Sequence, residues 1–119
     1  GVASGAKTAF VAEDGARIVG TVVLDRDLPP NQAHRADVIK LLTHPDWRRR
    51  GIARRLMEAL EAEARAIGLA LLILDTRTGD AAEPLYQALG YQVVGVVPGY
   101  SKSPDGKGFD ATTYMFKPL

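Results

Sequence analysis

One segment concentrates residue types that bind anions: His44-Pro45-Asp46-Trp47-Arg48-Arg49-Arg50-Gly51-Ile52-Ala53. An arginine-rich turn containing glycine runs directly into a stretch whose apolar residues recur at helical spacing. The first N–H groups of a helix have no intrahelical acceptor, and the helix dipole leaves partial positive charge there, so an anion is favoured at that end. Gly51 and the small Ala53 let a ligand approach the backbone, and Arg48, Arg49 and Arg50 add forked donors that match phosphate oxygens. The chemistry implied is a phosphate or pyrophosphate site, although the same residues would also make a solvated basic turn. The segment lacks the Gly/Lys/Ser pattern of a P-loop and the Gly-x-Gly-x-x-Gly of dinucleotide folds. His34 and His44 have no partner pattern for a metal, and none is inferred. The absence of cysteine excludes thiol nucleophiles, Cys-based zinc sites and disulfide scaffolds.

The elements that must position this turn are legible in the hydrophobic pattern. Lys7 to Glu13, with Ala9, Phe10, Val11 and Ala12, and Arg17 to Leu24 read as an antiparallel hairpin around Asp14-Gly15, two types that tolerate positive φ. Asp25 to Arg35, containing Pro29-Pro30-Asn31, reads as a loop. Ala36 to His44 reads as a largely buried strand ended by Pro45. Ile52, Leu56, Leu60, Ala64 and Ile67 form one helical stripe, with Arg54–Glu58 and Glu61–Arg65 pairs expected outside and Gly68 as the C-cap. Leu69 to Asp75 reads as a second buried strand, Thr76 to Asp80 as a turn, and Ala81 to Leu89 as a short helix closed by Gly90. Tyr91 to Val97 and Ala111 to Lys117 complete the strands, with Pro98 to Phe109 as a loop between them. The order β-β-β-α-β-α-β-β is that of an α/β or α+β layered domain.

At 119 residues with 46% hydrophobic and 24% charged side chains, the whole chain, residues 1–119, is expected to form a single domain with an ordinary core. A net charge of +1 gives no electrostatic case for nucleic acid. The apolar run Leu69 to Leu74 is too short to span a membrane. Gly1 to Gly5 lacks the pattern of a signal peptide, so a cytoplasmic location is expected.

Arg48-Arg49-Arg50-Gly51-Ile52-Ala53 resembles the Arg/Gln-x-x-Gly-x-Gly/Ala signature of the GNAT superfamily of acetyl-CoA-dependent N-acetyltransferases. Ala82, Leu85-Tyr86 and Leu89-Gly90-Tyr91 resemble that family's Ala-x-x-Leu-Tyr-x-x-x-Gly-Phe/Tyr helix. The resemblance covers about Lys7 to Leu119. Asn31 to Lys40, Leu72 to Thr76, Val94-Gly95, Pro98-Gly99-Tyr100 and Pro104-Asp105-Gly106 further resemble the tabtoxin resistance branch of the superfamily. The fold implied has a mixed, mostly antiparallel central sheet with helices on its faces. The family's first strand and first two helices, which form one side of the acceptor pocket, are expected to be missing, because Lys7 aligns near the second strand.

The resemblance implies acetyl-CoA as co-substrate and the primary amine of a small molecule as acceptor, joined by direct attack in a ternary complex. It assigns the CoA pyrophosphate to Arg48, Arg49, Arg50, Gly51, Ile52, Ala53 and Arg54, and the pantetheine arm to backbone at Leu41, Leu42 and Thr43, where the side chains of Leu41 and Leu42 read as core. Thr76 is a further cofactor contact. The oxyanion would meet a backbone N–H near Leu42. An ammonium has no lone pair at neutral pH, so a base is needed. Asp37 stands where many members place Glu, although it would also simply pair with Arg35 or Lys40. Asp75 reads as a second base, as an anchor for the acceptor ammonium, or as a turn cap before Thr76. Tyr86 reads as the acid beside the thioester sulfur or as a half-buried core tyrosine, and Tyr100 as an acceptor-side wall or part of a surface loop. Gly79 stands where many members have an Asn that touches pantetheine. Members often pair through their late strands, which implies a homodimer. A CoA-binding module without catalysis and a protein N-terminal or lysine acetyltransferase are the competing functions.

Overall fold

The computed structural model describes residues 6–48 and 50–119. The expected element order is present: β1 (Lys7–Asp14), β2 (Arg17–Asp25), β3 (Arg35–Thr43), α1 (Ile52–Ala66), β4 (Leu71–Arg77), α2 (Glu83–Ala88), β5 (Gln92–Lys102) and β6 (Phe109–Pro118). Single 3-10 turns lie at Pro30–Gln32 and Pro45–Trp47. The strands are hydrogen-bonded in the order β1-β2-β3-β4-β6-β5. The β1–β2, β2–β3 and β5–β6 pairs are antiparallel. This is a mixed α+β fold with a mostly antiparallel sheet. The described residues divide into two compact units, one up to residue 72 together with Leu119, the other residues 73–118.

In the first unit, Asp14 pairs with Arg17, so the hairpin turn is Gly15-Ala16, one residue later than the Asp14-Gly15 expected. Gly15, at φ 63°, takes the left-handed position that the turn requires. β2 contributes Val19, Val22 and Leu24 to the core, and α1 contributes Leu56, Met57, Leu60 and Ala64. Helix and strand meet at Gly20, where a Cβ would stand 2.9 Å from Ile52 Cγ2 and 3.0 Å from Leu56 Cδ1. The absent side chain therefore fixes how closely the first turn of α1 lies on β2.

Three expectations for this unit change. Glu61 is only 4% exposed and belongs to the buried arc of α1, one position from Leu60. Ile67 lies past the helix end and is exposed, because the chain turns there, with the Gly68 and Leu69 amides bonding back to Arg65 and Ala64 carbonyls. β3 buries only Ala36 and Val38, so it is covered far less than a continuous apolar run suggests.

In the second unit, the loop expected over Pro98 to Phe109 shrinks to residues 103–108, because β5 runs on to Lys102 and β6 begins at Phe109. Pro98 and Gly99 were misleading punctuation. β5 is the last strand in the order, where a proline costs no ladder bond. Gly99, at φ 63°, lies in the register irregularity between Val97 and Ser101, which absorbs the extra residues. α2 is shorter than expected and closes at Gly90, with φ 97°.

Candidate active site

The arginine-rich turn is built by β3, the Pro45–Trp47 turn and α1. β3 carries Asp37, Leu41, Leu42 and Thr43 towards it. Its register against β2 slips by one residue between Ile39 and Leu42, and Lys40 sits there at φ 57°, the only non-glycine in the left-handed region among the described residues. A bulge leaves one residue without a ladder partner and bends the strand. Nothing in the Asp-Val-Ile-Lys-Leu-Leu pattern signals it, since lysine has no preference for that conformation. Past the bulge Leu42 is 63% exposed and Leu41 is half-buried, so neither side chain is the core residue that the pattern suggests.

Pro45 then turns the chain. The His44 imidazole Nδ1 accepts from the Asp46 amide at 3.2 Å and caps the 3-10 turn. The Asp46 carboxylate approaches the same nitrogen at 3.8 Å. The Trp47 ring meets the His44 ring edge-on at 5.2 Å. The guanidiniums of Arg17 and Arg50 lie 5.5 Å and 5.7 Å from the indole centroid.

Gly51, at φ 76°, is the N-cap of α1, and among the described residues no side chain caps the first turn. Among the described residues a Cβ on Gly51 would meet nothing within 4 Å. The first amides of a fifteen-residue helix are thus presented without a side-chain acceptor, and no acidic residue stands in that turn. Arg48 and Arg50 are exposed, and Arg54 Nε lies 3.7 Å from Glu58 Oε2. Arg49 lies outside the described residues. Open amides, a glycine that leaves room over them and surrounding guanidiniums suit a pyrophosphate.

Asp37 is ion-paired. Arg35 Nη1 donates to its Oδ1 at 2.7 Å, and Arg35 Nη2 donates to Gln32 Oε1 at 2.5 Å. Its register partner on β2 is Asp25, so Arg35 also offsets the proximity of a second carboxylate.

The second unit gathers Asp75, Thr76 and Tyr86. Asp75 is an exposed residue, and its Oδ2 lies 3.1 Å from the Thr112 hydroxyl, which also lies 3.0 Å from the Thr76 carbonyl oxygen and donates its one proton to either. Thr112 itself is buried. It lies between Asp75 and the Thr76 carbonyl, and a threonine inside a β-rich run gave no cue to that placement. Tyr86 is 6% exposed and packs edge-on to Tyr91 at 5.8 Å. Burial, and then the charges of Asp80 and Asp75, push its phenol up to about 12, so it stays protonated throughout the physiological range. Tyr100 stands in β5, not in a loop. Its hydroxyl is 3.0 Å from that of Tyr114, and the rings meet at 82°. Gly79, at φ 84°, donates its amide to Glu83 Oε1 at 3.2 Å.

A family model of the acetyltransferase (GNAT) domain matches residues 5–93. The chain therefore belongs to the GNAT acetyltransferase family. It is 33% identical over 73 residues to the ribosomal protein bS18-alanine N-acetyltransferase of Escherichia coli K12, covering 60% of this chain and 49% of that protein. It is also 35% identical over 88 residues to human N-acetyltransferase 8, covering 72% of this chain and 39% of that protein. The chain thus spans about half or less of the length of these curated relatives. Among solved structures, a GNAT-family acetyltransferase from Streptococcus pneumoniae shares the fold with a TM-score of 0.87 at 24% identity, over 99% of this chain and 70% of that one. An aminoglycoside 6'-N-acetyltransferase complexed with coenzyme A shares it with a TM-score of 0.74 at 21% identity, over 95% and 73%.

Proposed function

We propose that this chain carries the cofactor-binding and catalytic residues of an acetyl-CoA-dependent N-acetyltransferase that acetylates the primary amine of a small molecule. One observation supports this reading most: in a chain of the GNAT family, the uncapped first turn of α1 opens at a left-handed glycine flanked by exposed arginines. The amides of residues 51–54, with Arg48, Arg49 and Arg50, would hold the CoA pyrophosphate. The bulged backbone of Leu41, Leu42 and Thr43 would hold the pantetheine arm, and Thr76 is a further candidate cofactor contact. When bound, acetyl-CoA supplies an acyl thioester.

Asp37 takes a proton from the acceptor ammonium, directly or through water, and its pairing with Arg35 orients the carboxylate. Asp75, beside Thr112, anchors the acceptor's ammonium or acts as a second base. The amine forms a C–N bond to the acetyl carbon within one ternary complex, while an N–H near Leu42 meets the carbonyl oxygen. The C–S bond then breaks. A thiol with an ordinary pKa of about 8.5 gives a thiolate far less basic than a phenolate. Tyr86, whose phenol is held at about 12, therefore stabilises the leaving sulfur by donating a hydrogen bond and keeps its proton. The proton that ends on sulfur comes from the ammonium nitrogen by way of solvent. Tyr100 walls the acceptor side, and pairing through the late strands makes a homodimer.

Likeness to bS18-alanine N-acetyltransferases favours a second reading, in which the acceptor is the α-amine of a protein N-terminus. Thiol release from acetyl-CoA with a panel of small amines and of N-terminal peptides tests both. Turnover with small amines supports the first reading, and turnover with peptides alone supports the second. CoA binding with no turnover in either arm would leave a non-catalytic module and refute the enzymatic proposal.

A further inference from the structure

The proposed pyrophosphate site explains the backbone of the turn and its arginines but gives no role to Trp47 or Arg17. Trp47 is the only tryptophan in the chain. Its indole has two guanidiniums against it, Arg50 from the turn and Arg17 from the start of β2. Among the described residues neither guanidinium has a carboxylate within ion-pair distance. Two cations are therefore gathered on one ring, with Asp14 as the register partner of Arg17 the nearest acidic neighbour along the strand pair. An arginine in solvent has many rotamers to lose when it binds a phosphate, and a stacked guanidinium has already lost part of that freedom. The ring is held in turn by the His44 edge contact, and His44 is locked by its bond to the Asp46 amide.

We infer that Trp47 is a positioning residue for the anion site: its indole holds the Arg50 guanidinium ready for phosphate and brings Arg17 in as a second cation. The inference rests on the CoA reading proposed above and adds to it a residue of β2 that no motif marks. A dianionic pyrophosphate is attracted by both cations. Trp47 thus acts on phosphate binding and not on the acyl group.

The test compares acetyl-CoA with S-acetylpantetheine, which has the same thioester and no pyrophosphate. Trp47→Leu should raise the Kd for acetyl-CoA about fivefold, the size of exposed cation–π contacts, and leave that for S-acetylpantetheine unchanged. Trp47→Phe should restore most of the affinity, and Arg17→Ala should weaken acetyl-CoA binding alone and flatten its salt dependence. Equal weakening of both ligands, or wild-type affinity in Trp47→Leu, would overturn the inference. If Trp47→Leu does not fold, wild-type emission carries the test: inorganic pyrophosphate should change Trp47 fluorescence saturably, and Arg17→Ala should weaken that titration. An emission unmoved by pyrophosphate would contradict it. A saturable pyrophosphate response without acetyl-CoA binding would keep the cluster and refute the CoA reading.

Discussion

Gly20→Ala probes the contact that sets the first turn of α1 on the sheet. An alanine Cβ there would stand 2.9 Å from Ile52 Cγ2, 3.0 Å from Leu56 Cδ1 and 3.3 Å from the Leu42 carbonyl oxygen. Carbon atoms are comfortable at about 3.5–4.0 Å, so Ile52 and Leu56 must each retreat by roughly half an ångström or more. Leu56 can rotate, but the branched Ile52 is stiff at χ1 and moves only with the helix start. Overpacking of this kind costs about 1–3 kcal/mol, and removing a strand glycine returns about 0.5–1 kcal/mol. The net expectation is a loss of about 1–2 kcal/mol, or a fall in Tm of roughly 4–8 °C for a chain of this size. Thermal and urea unfolding measure it. Gly95→Ala is the control, because a Cβ there meets nothing within 4 Å, and it should be neutral or slightly stabilising. The loss should largely vanish in an Ile52→Ala background, since the clashing methyl is gone. Equal stabilities of Gly20→Ala and Gly95→Ala, or strict additivity with Ile52→Ala, would refute the reasoning.

The remaining predictions concern the site. Tyr86→Phe should lower kcat by about tenfold or more with little change in KM for acetyl-CoA, and unchanged turnover would remove the donor role. The raised phenol pKa gives Tyr86 a stability contribution that is fully present below pH 10 and lost as pH climbs towards 12. Urea unfolding should therefore show a steeper alkaline loss in wild type than in Tyr86→Phe, by up to about 3 kcal/mol. Asp37→Asn should reduce kcat/KM for the acceptor by about a hundredfold if Asp37 is the base, whereas a mere partner of Arg35 would cost only about 1 kcal/mol of stability. Lys40→Gly should stabilise the bulge by up to about 1 kcal/mol, and Lys40→Val should destabilise it, because a β-branched residue resists positive φ. Denaturant midpoints report both.

Sequence periodicity and turn chemistry carried the element order, because α1 has one clean apolar stripe and the glycines at positions 15, 68 and 90 all take positive φ where a turn or helix end demands it. The same reasoning failed where tertiary context decides. Glu61 reads as a surface residue by type, yet its position beside Leu60 and one turn after Met57 buries it. Leu42 reads as core by type and is exposed because it follows a bulge. The arginine-rich turn into α1 was legible because glycine, arginine and a helix start are local signals. Arg17, Thr112 and Tyr114 were not, since each reaches its partner across strands or from a distant turn, and spacing along the chain encodes no such contact.

The central claim is that acetyl-CoA is held by the backbone at the start of α1. Amide chemical shifts of the labelled protein, followed during an acetyl-CoA titration, test it most directly. Saturable shifts are expected, largest at residues 50–54 and propagating to Leu41, Leu42 and Thr43 on β3. No shifts, or shifts confined to β5 and β6, would contradict it.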